Sequence, residues 1–295
     1  MVDTKLTTLL TLAQLRSFTA AAKELSLTQP AVSHHIRQLE EEFGIQVFYR
    51  GAKEFKLTPE GNILLKYARR ACVLYENTKQ AIEDQHRDMR RFAIGVTPSA
   101  EEIFIPQVVA AYCGEHPETH IQIVSDSIKN LHDRLKNFEI DIAIVEGNMT
   151  DASLKSVLLD TDYLCLIVSP HHPFAERPGV TLGELRKEKL VLRSKNAGTR
   201  RLFESYLLNN MDHIRNYNVV IESDNIATVR ELVCLGMGVS IMAHSACRAA
   251  EQAGEIKVIP IENCHMVREI NMVYHRDFDH PEVFEAVRKI YHQLF

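Results

Sequence analysis

The chain has 295 residues, 45% hydrophobic and 25% charged, which is the composition of a soluble globular protein and a length for roughly two domains. Its formal net charge of −5 repels a polyanion taken as a whole, so any contact with nucleic acid has to be local. Leu232 to Ala243, at 12 residues with two glycines, is too short to cross a bilayer, and six cysteines without a CxxC pair fit neither a zinc site nor a secreted disulfide framework.

In chain order, the apolar run Leu6 to Leu15 ahead of Ala20, Ala21 and Ala22 has the outline of a signal peptide. Threonines interrupt it and Arg16 divides it from the small residues, so the chain reads as cytoplasmic. The segment SFTAAAKELSLTQPAVSHHIRQLEEEFG then reads as two short helices around a tight turn, with Ser17 capping the first and Thr28 the second, and Pro30 in the second helix's first turn. Val32, Ile36, Leu39 and Phe43 form its buried stripe, and Gly44 is the stop. The opposite face holds Gln29, Ser33, His34 and Arg37, hydrogen-bonding side chains near a helix N-terminus, the part of a recognition helix that meets base edges.

VFYRGAKEFKLT reads as two short strands around Gly51, a wing that puts Arg50, Lys53 and Lys56 within reach of phosphates. Residues 1 to 60 carry seven Lys and Arg against seven Asp and Glu, so these cations matter only if they share a face. A helical hairpin with a solvated polar face is the alternative. Thr58 and Pro59 next open a long helix to about Arg87, along which Leu64, Ala68, Ala71, Tyr75, Thr78 and Ile82 recur at spacings of three and four. One narrow seam on so long a helix predicts pairing with another helix, packing on its own domain being the other reading.

From Phe92 onward short apolar strands (FAIGV, HIQIV, DIAIV, YLCLIV, KLVLR, VVIES, VSIM, IKVIP, REINMVY) alternate with amphipathic helices. That order indicates βαβ units and a parallel sheet, divided between two lobes because a single sheet of so many strands would be wide. In such a fold a ligand sits at the C-terminal ends of strands and the N-termini of the following helices, whose free N–H groups suit an oxyanion. Three helix starts stand out: Thr97 to Ser99, Ser125 to Ser127, and Gly198 to Arg200. Each alone is also an ordinary cap. The GxG of GMGVSIM follows a helix and precedes a strand, which marks a helix stop rather than a dinucleotide turn, and the His171–His172 pair reads as a turn. Neither GxSxG nor HExxH occurs, so no catalytic residue, metal site or cofactor is expected.

The runs SFTAAAKELSLTQPAVSHHIRQLEEEFGIQVFYR and KLTPEG resemble the DNA-binding signature of the LysR-type transcriptional regulators, and SPHHPFA, GTRRLF and ESDNIATVRELVCLGMGVSIM resemble later parts of that family. The resemblance implies an α/β protein with a mainly helical N-terminal winged helix-turn-helix over residues 1–58, a dimerising linker helix over 59–88 and an effector-binding domain over 89–295. That last domain resembles periplasmic binding proteins, with lobe I about 91–161 and 267–295 and lobe II about 162–266. It places Thr28, Gln29, Ser33, His34 and Arg37 at DNA, His34 standing where such proteins more often carry a longer amide or basic side chain. By the same resemblance Thr97, Ser99, Ser127, Thr199 and Arg200 line the cleft between the lobes, with Glu146, Asn148, Asn225 and His244 completing it. The implied partners are double-stranded operator DNA, a small organic anion as effector, a second copy of the chain in a homodimer or homotetramer, and RNA polymerase, with no membrane. Three rivals stand beside it: a thiol switch on the same scaffold with Cys234 and Cys247 as the pair, a solute-binding protein, which would need export and leave the first 90 residues idle, and, weakest, an enzyme.

Overall fold

A computed structural model of the chain describes residues 3–49, 55–278 and 280–294. Arg50 and Lys53, the expected cations of the wing tip, lie outside the described residues. The chain divides into two units. The first comprises Met1–Ala93, Glu118–Gln122 and Asp133–Asp141, and the second Ile94–Pro117, Ile123–His132 and Ile142–Phe295.

Four helices begin the chain: α1 (Thr4–Leu15), α2 (Phe18–Glu24), α3 (Gln29–Phe43) and α4 (Pro59–Arg87). The caps lie where the sequence puts them. Ser17 Oγ accepts from the Ala20 N–H, Thr28 Oγ1 from that of Ala31, and Thr58 Oγ1 from that of Gly61. Leu9, Leu12, Ala21, Val32, Ile36, Leu39 and Val47 are buried together, and each large aliphatic side chain among them contributes about 1.5–3 kcal/mol relative to exposure. Phe43 departs from the expected stripe. It is 52% exposed, because α3 ends at Gly44 in the left-handed region (φ 64) just beyond it. An isolated antiparallel bridge from Phe48 to Leu57 forms the base of the wing.

Helix α4 packs differently from its predicted seam. Leu64 and Ala68 are buried in the N-terminal core, whereas Ile63, Tyr67, Leu74 and Ile82 are exposed large apolar side chains. With the exposed Ala71 and Thr78 they make a stripe at spacings of four, four, three, four and four. Further along, Asn77 donates to the Phe138 carbonyl at 3.0 Å, and Arg91 pairs with the buried Asp84 at 3.1 Å.

The remaining elements are β1 (Arg90–Val96), α5 (Pro98–Ile103), α6 (Ile105–Glu115), β2 (Thr119–Ser125), α7 (Ile128–Lys136), β3 (Ile142–Glu146), β4 (Leu154–Val168), α8 (Leu182–Leu185), β5 (Lys189–Arg193) and α9 (Gly198–Asn209). After a 3-10 turn at Ile214–Asn216 come β6 (Asn218–Ser223), α10 (Ile226–Cys234), β7 (Ser240–Ala243), α11 (His244–Gln252), β8 (Lys257–Ile259), β9 (Val267–His275) and α12 (Pro281–Leu294). The sheet order is β2-β1-β3-β9-β4-β7, β8 also pairs with β4, and β5 and β6 form a second sheet. The βαβ expectation holds for β1 beside β3 and β5 beside β6, which are parallel. It fails around β4 and β9, which pair antiparallel with each other and with their other neighbours.

β4 is one 15-residue strand, far longer than the YLCLIV run suggests. Its first part, Leu154 to Tyr163, pairs with β9, and its second, Leu164 to Val168, pairs with β7 and β8. The same strand therefore belongs to both lobes. Alternate residues of its second part enter two cores: Leu164, Leu166 and Val168 on one face, Cys165 and Ile167 on the other. Both faces are covered, and that is why YLCLIV reads as an unbroken apolar run. Gly236 (φ 74) ends α10 as the GxG reading expects, and Gly238 lets the chain approach β5, since a Cβ there would lie 2.4 Å from the Lys189 carbonyl oxygen.

Candidate functional site

Two surfaces carry the residues selected from the sequence. On α3, Gln29, His34 and Arg37 are exposed and Ser33 half-buried, with Gln29, Ser33 and Arg37 at intervals of four on the side away from Val32, Ile36 and Leu39. Thr28 is exposed and spends its hydroxyl on the cap at 3.3 Å. Lys56, beside the wing base, is exposed. His35, not selected, points inward, with Nδ1 2.9 Å from the Thr8 hydroxyl, and joins α3 to α1.

In the second unit the selected residues separate into three groups. Thr97 is buried and donates its hydroxyl to the Glu146 carboxylate, while Glu146 also faces Arg268 Nη1 at 3.4 Å. Arg268 in turn pairs with Asp162 at 2.9 Å, and Asp162 accepts from the Ser245 hydroxyl at 2.7 Å. Thr97 and Glu146 thus belong to a buried polar network at β4 and β9. A second group has other structural employment. Arg200, 3% exposed, gives its guanidinium to Glu204, to Glu222 and to the Arg193 carbonyl. Asn225 caps α10 through the Thr228 N–H, the exposed Ser127 accepts from the Asn130 N–H, Asn148 is exposed in a loop, and His244 stacks on Tyr163 with ring centroids 4.7 Å apart.

Ser99 and Thr199 form the third group, and they meet. Both are buried and both line one small pocket. Ser99 and Ile103 come from α5, Thr199 from α9, Ile226 from α10, Met242 and Ala243 from β7, and Ala246 from α11. The remaining lining residue is Arg193, the last residue of β5, 6% exposed. Sequence reading did not select it. The available signal was its place at the C-terminal end of a parallel strand, just ahead of a selected helix start, where ligands of open α/β sheets lie.

The thiols favour inertness. Cys247 contacts Cys165, and the Cys165 thiol is pushed well above its ordinary value by that contact and by burial. Burial also raises Cys234. Protonated thiols are poor nucleophiles.

Two family models match the chain: "Bacterial regulatory helix-turn-helix protein, lysR family" over residues 4–62 and "LysR substrate binding domain" over residues 85–295. An uncharacterized HTH-type transcriptional regulator of Methanocaldococcus jannaschii is 30% identical over 274 residues, 92% of each chain. The HTH-type transcriptional regulator CysL of Bacillus subtilis is 28% identical over 270 residues, 91% of this chain and 89% of that one. In fold, the chain is similar to a full-length variant of OxyR from Pseudomonas aeruginosa, with a TM-score of 0.66 and 21% identity over 99% of this chain and 94% of that one. With a helix-turn-helix at one end, a two-lobed α/β domain at the other, and both family models matched in that order, this chain belongs to the LysR family of transcriptional regulators.

Proposed function

We propose that the chain is a cytoplasmic, non-catalytic regulator whose α3 reads operator DNA and whose pocket between α5 and α9 takes a small organic anion. Residues 1–58 bind DNA, 59–88 pair with a second copy, and 89–295 bind the effector. The observation that carries this reading is the meeting of two buried hydroxyls, Ser99 and Thr199, from helix starts a hundred residues apart in sequence, in one pocket with a buried arginine. One anion bridging them holds the two lobes in a fixed relation, and a ligand that prefers that relation shifts the population toward it.

The test pairs two assays on Ser99→Ala and Thr199→Val. An operator recovered by selection from random duplexes is bound as in wild type without effector, while the thermal stabilisation given by the best compound of a small-anion screen is weakened about ten- to hundredfold in affinity, the range expected for one hydrogen bond to a charged group. Unaltered stabilisation in both variants removes the pocket assignment.

A further inference from the structure

The second unit buries three arginines among the described residues, Arg193, Arg200 and Arg268, and two of them are ion-paired. Arg200 lies between Glu204 and Glu222, and Arg268 between Asp162 and Glu146. Arg193 differs. Its Nε is buried without a hydrogen-bond partner, and no carboxylate of the described residues lies at ion-pairing distance from it. The acids that act on it from further off, Glu102, Asp224 and Glu146, are engaged elsewhere: Glu102 with Arg230 at 3.8 Å, Asp224 with the Ser194 hydroxyl, and Glu146 with Thr97 and Arg268. Burial lowers the proton affinity of the guanidinium more than these distant acids raise it, as for a charge removed from water with no counter-charge in contact.

An unpaired buried cation is costly, and natural structures retain one where something completes it. The same pocket supplies further donors. Ala197 stands at the N-cap of the 12-residue α9 without a side-chain cap, so the first turn of α9 is open beside Thr199. No acidic side chain lines the pocket, and apart from Arg193, Ser99 and Thr199 its wall is Ile, Met and Ala.

We infer that Arg193 is the counter-charge that selects the effector, and that the effector carries one oxyanion head, a carboxylate or a sulfate- or phosphate-like group, on an apolar body. This rests on the pocket reading above and adds to it a charge.

The experiment follows the melting temperature of the full chain at constant ionic strength in propionate, sulfate, phosphate and the uncharged propionamide. Wild type is expected to rise with at least one oxyanion and not with propionamide; a rise with propionate alone identifies a carboxylate head, and a rise with sulfate or phosphate alone a tetrahedral one. Arg193→Met, apolar and of similar length, is expected to melt higher than wild type without anion, and to lose the anion-dependent rise through an affinity loss of about ten- to hundredfold. Arg193→Lys keeps the charge without the fork and retains a weakened rise. The inference is overturned if Arg193→Met keeps the full rise, if it melts below wild type without anion, or if propionamide stabilises wild type as propionate does. If Ser99→Ala and Thr199→Val weaken the rise while Arg193→Met does not, the pocket stands and the role of Arg193 falls. If wild type shows no rise with any oxyanion, or all three substitutions leave it intact, both fall.

Discussion

Arg37 and Gln29 project from the exposed side of α3, opposite the buried Val32, Ile36 and Leu39, so neither is needed for packing. Arg37→Ala and Gln29→Ala are each expected to weaken specific operator binding by about 1–3 kcal/mol, the discrimination of one bidentate base contact, with an unchanged far-ultraviolet circular dichroism spectrum. Gel shifts with the selected operator decide it, and wild-type affinity in both variants rejects α3 as the reading helix. Asp212 makes a prediction of another kind. Burial pushes its carboxyl up, but hydrogen bonds from Tyr217, Arg186, Asn216 and the His213 N–H outweigh that and hold it well below the ordinary carboxylate range. A depressed carboxyl adds stability that is present in full above its unfolded value and is lost progressively as pH falls from there through its lower folded value. Asp212→Asn should therefore lower the melting temperature at pH 7 and by a smaller amount at pH 3, and a constant difference across that range contradicts the linkage. Such partners are invisible in a sequence. Ser99 and Thr199 were legible because hydroxyls at helix starts are a local pattern, but whether Arg193 or Arg200 keeps a free guanidinium depends on where Glu204 and Glu222 fall, one a helical turn away and the other on a neighbouring strand.

At the scale of elements, helix positions were readable and faces less so. The periodicity of α4 is real, but the N-terminal core claims Leu64 and Ala68, and that turns the free apolar stripe to Ile63, Tyr67, Ala71, Leu74, Thr78 and Ile82. A one-residue rotation of this sort cannot be read from spacing, because two stripes share Ala71, Thr78 and Ile82. If the free stripe pairs with a second copy, Leu74→Glu buries an uncompensated carboxylate there and sedimentation velocity should show a lighter species at concentrations where wild type is associated. Tyr75→Glu, on the seam expected from spacing alone, should have the smaller effect, and the reverse order returns the interface to that seam. The start of α4 is fixed more rigidly. A Cβ at Gly61 would lie 2.2 Å from the Val47 carbonyl oxygen, and both atoms are backbone or directly attached to it. Gly61→Ala should therefore destabilise the N-terminal domain although alanine is the better helix former, and chemical denaturation followed by circular dichroism checks the sign.

For the whole molecule, the expectation of two lobes was sound while the strand directions were not, because the alternation of strands and helices says nothing about β4 and β9, which run between lobes with no helix to impose a parallel return. β4 gives up its alternation where both faces are covered, and the sequence shows only that half as a strand. The continuity of β4 also bears on what lengths the chain tolerates. From Leu154 to Val168 it is paired first with β9 and then with β7 and β8, with one irregularity between Leu158 and Asp160. Adding or removing one residue beyond that point would exchange the two faces, sending Cys165 and Ile167 into the core that holds Leu164 and Leu166 and the reverse. The extra residue between Leu158 and Asp160 is the place where such a change has already been absorbed. The span from Asp160 to Val168 is thus held to its present count, like the fixed spacing between two gears on one axle.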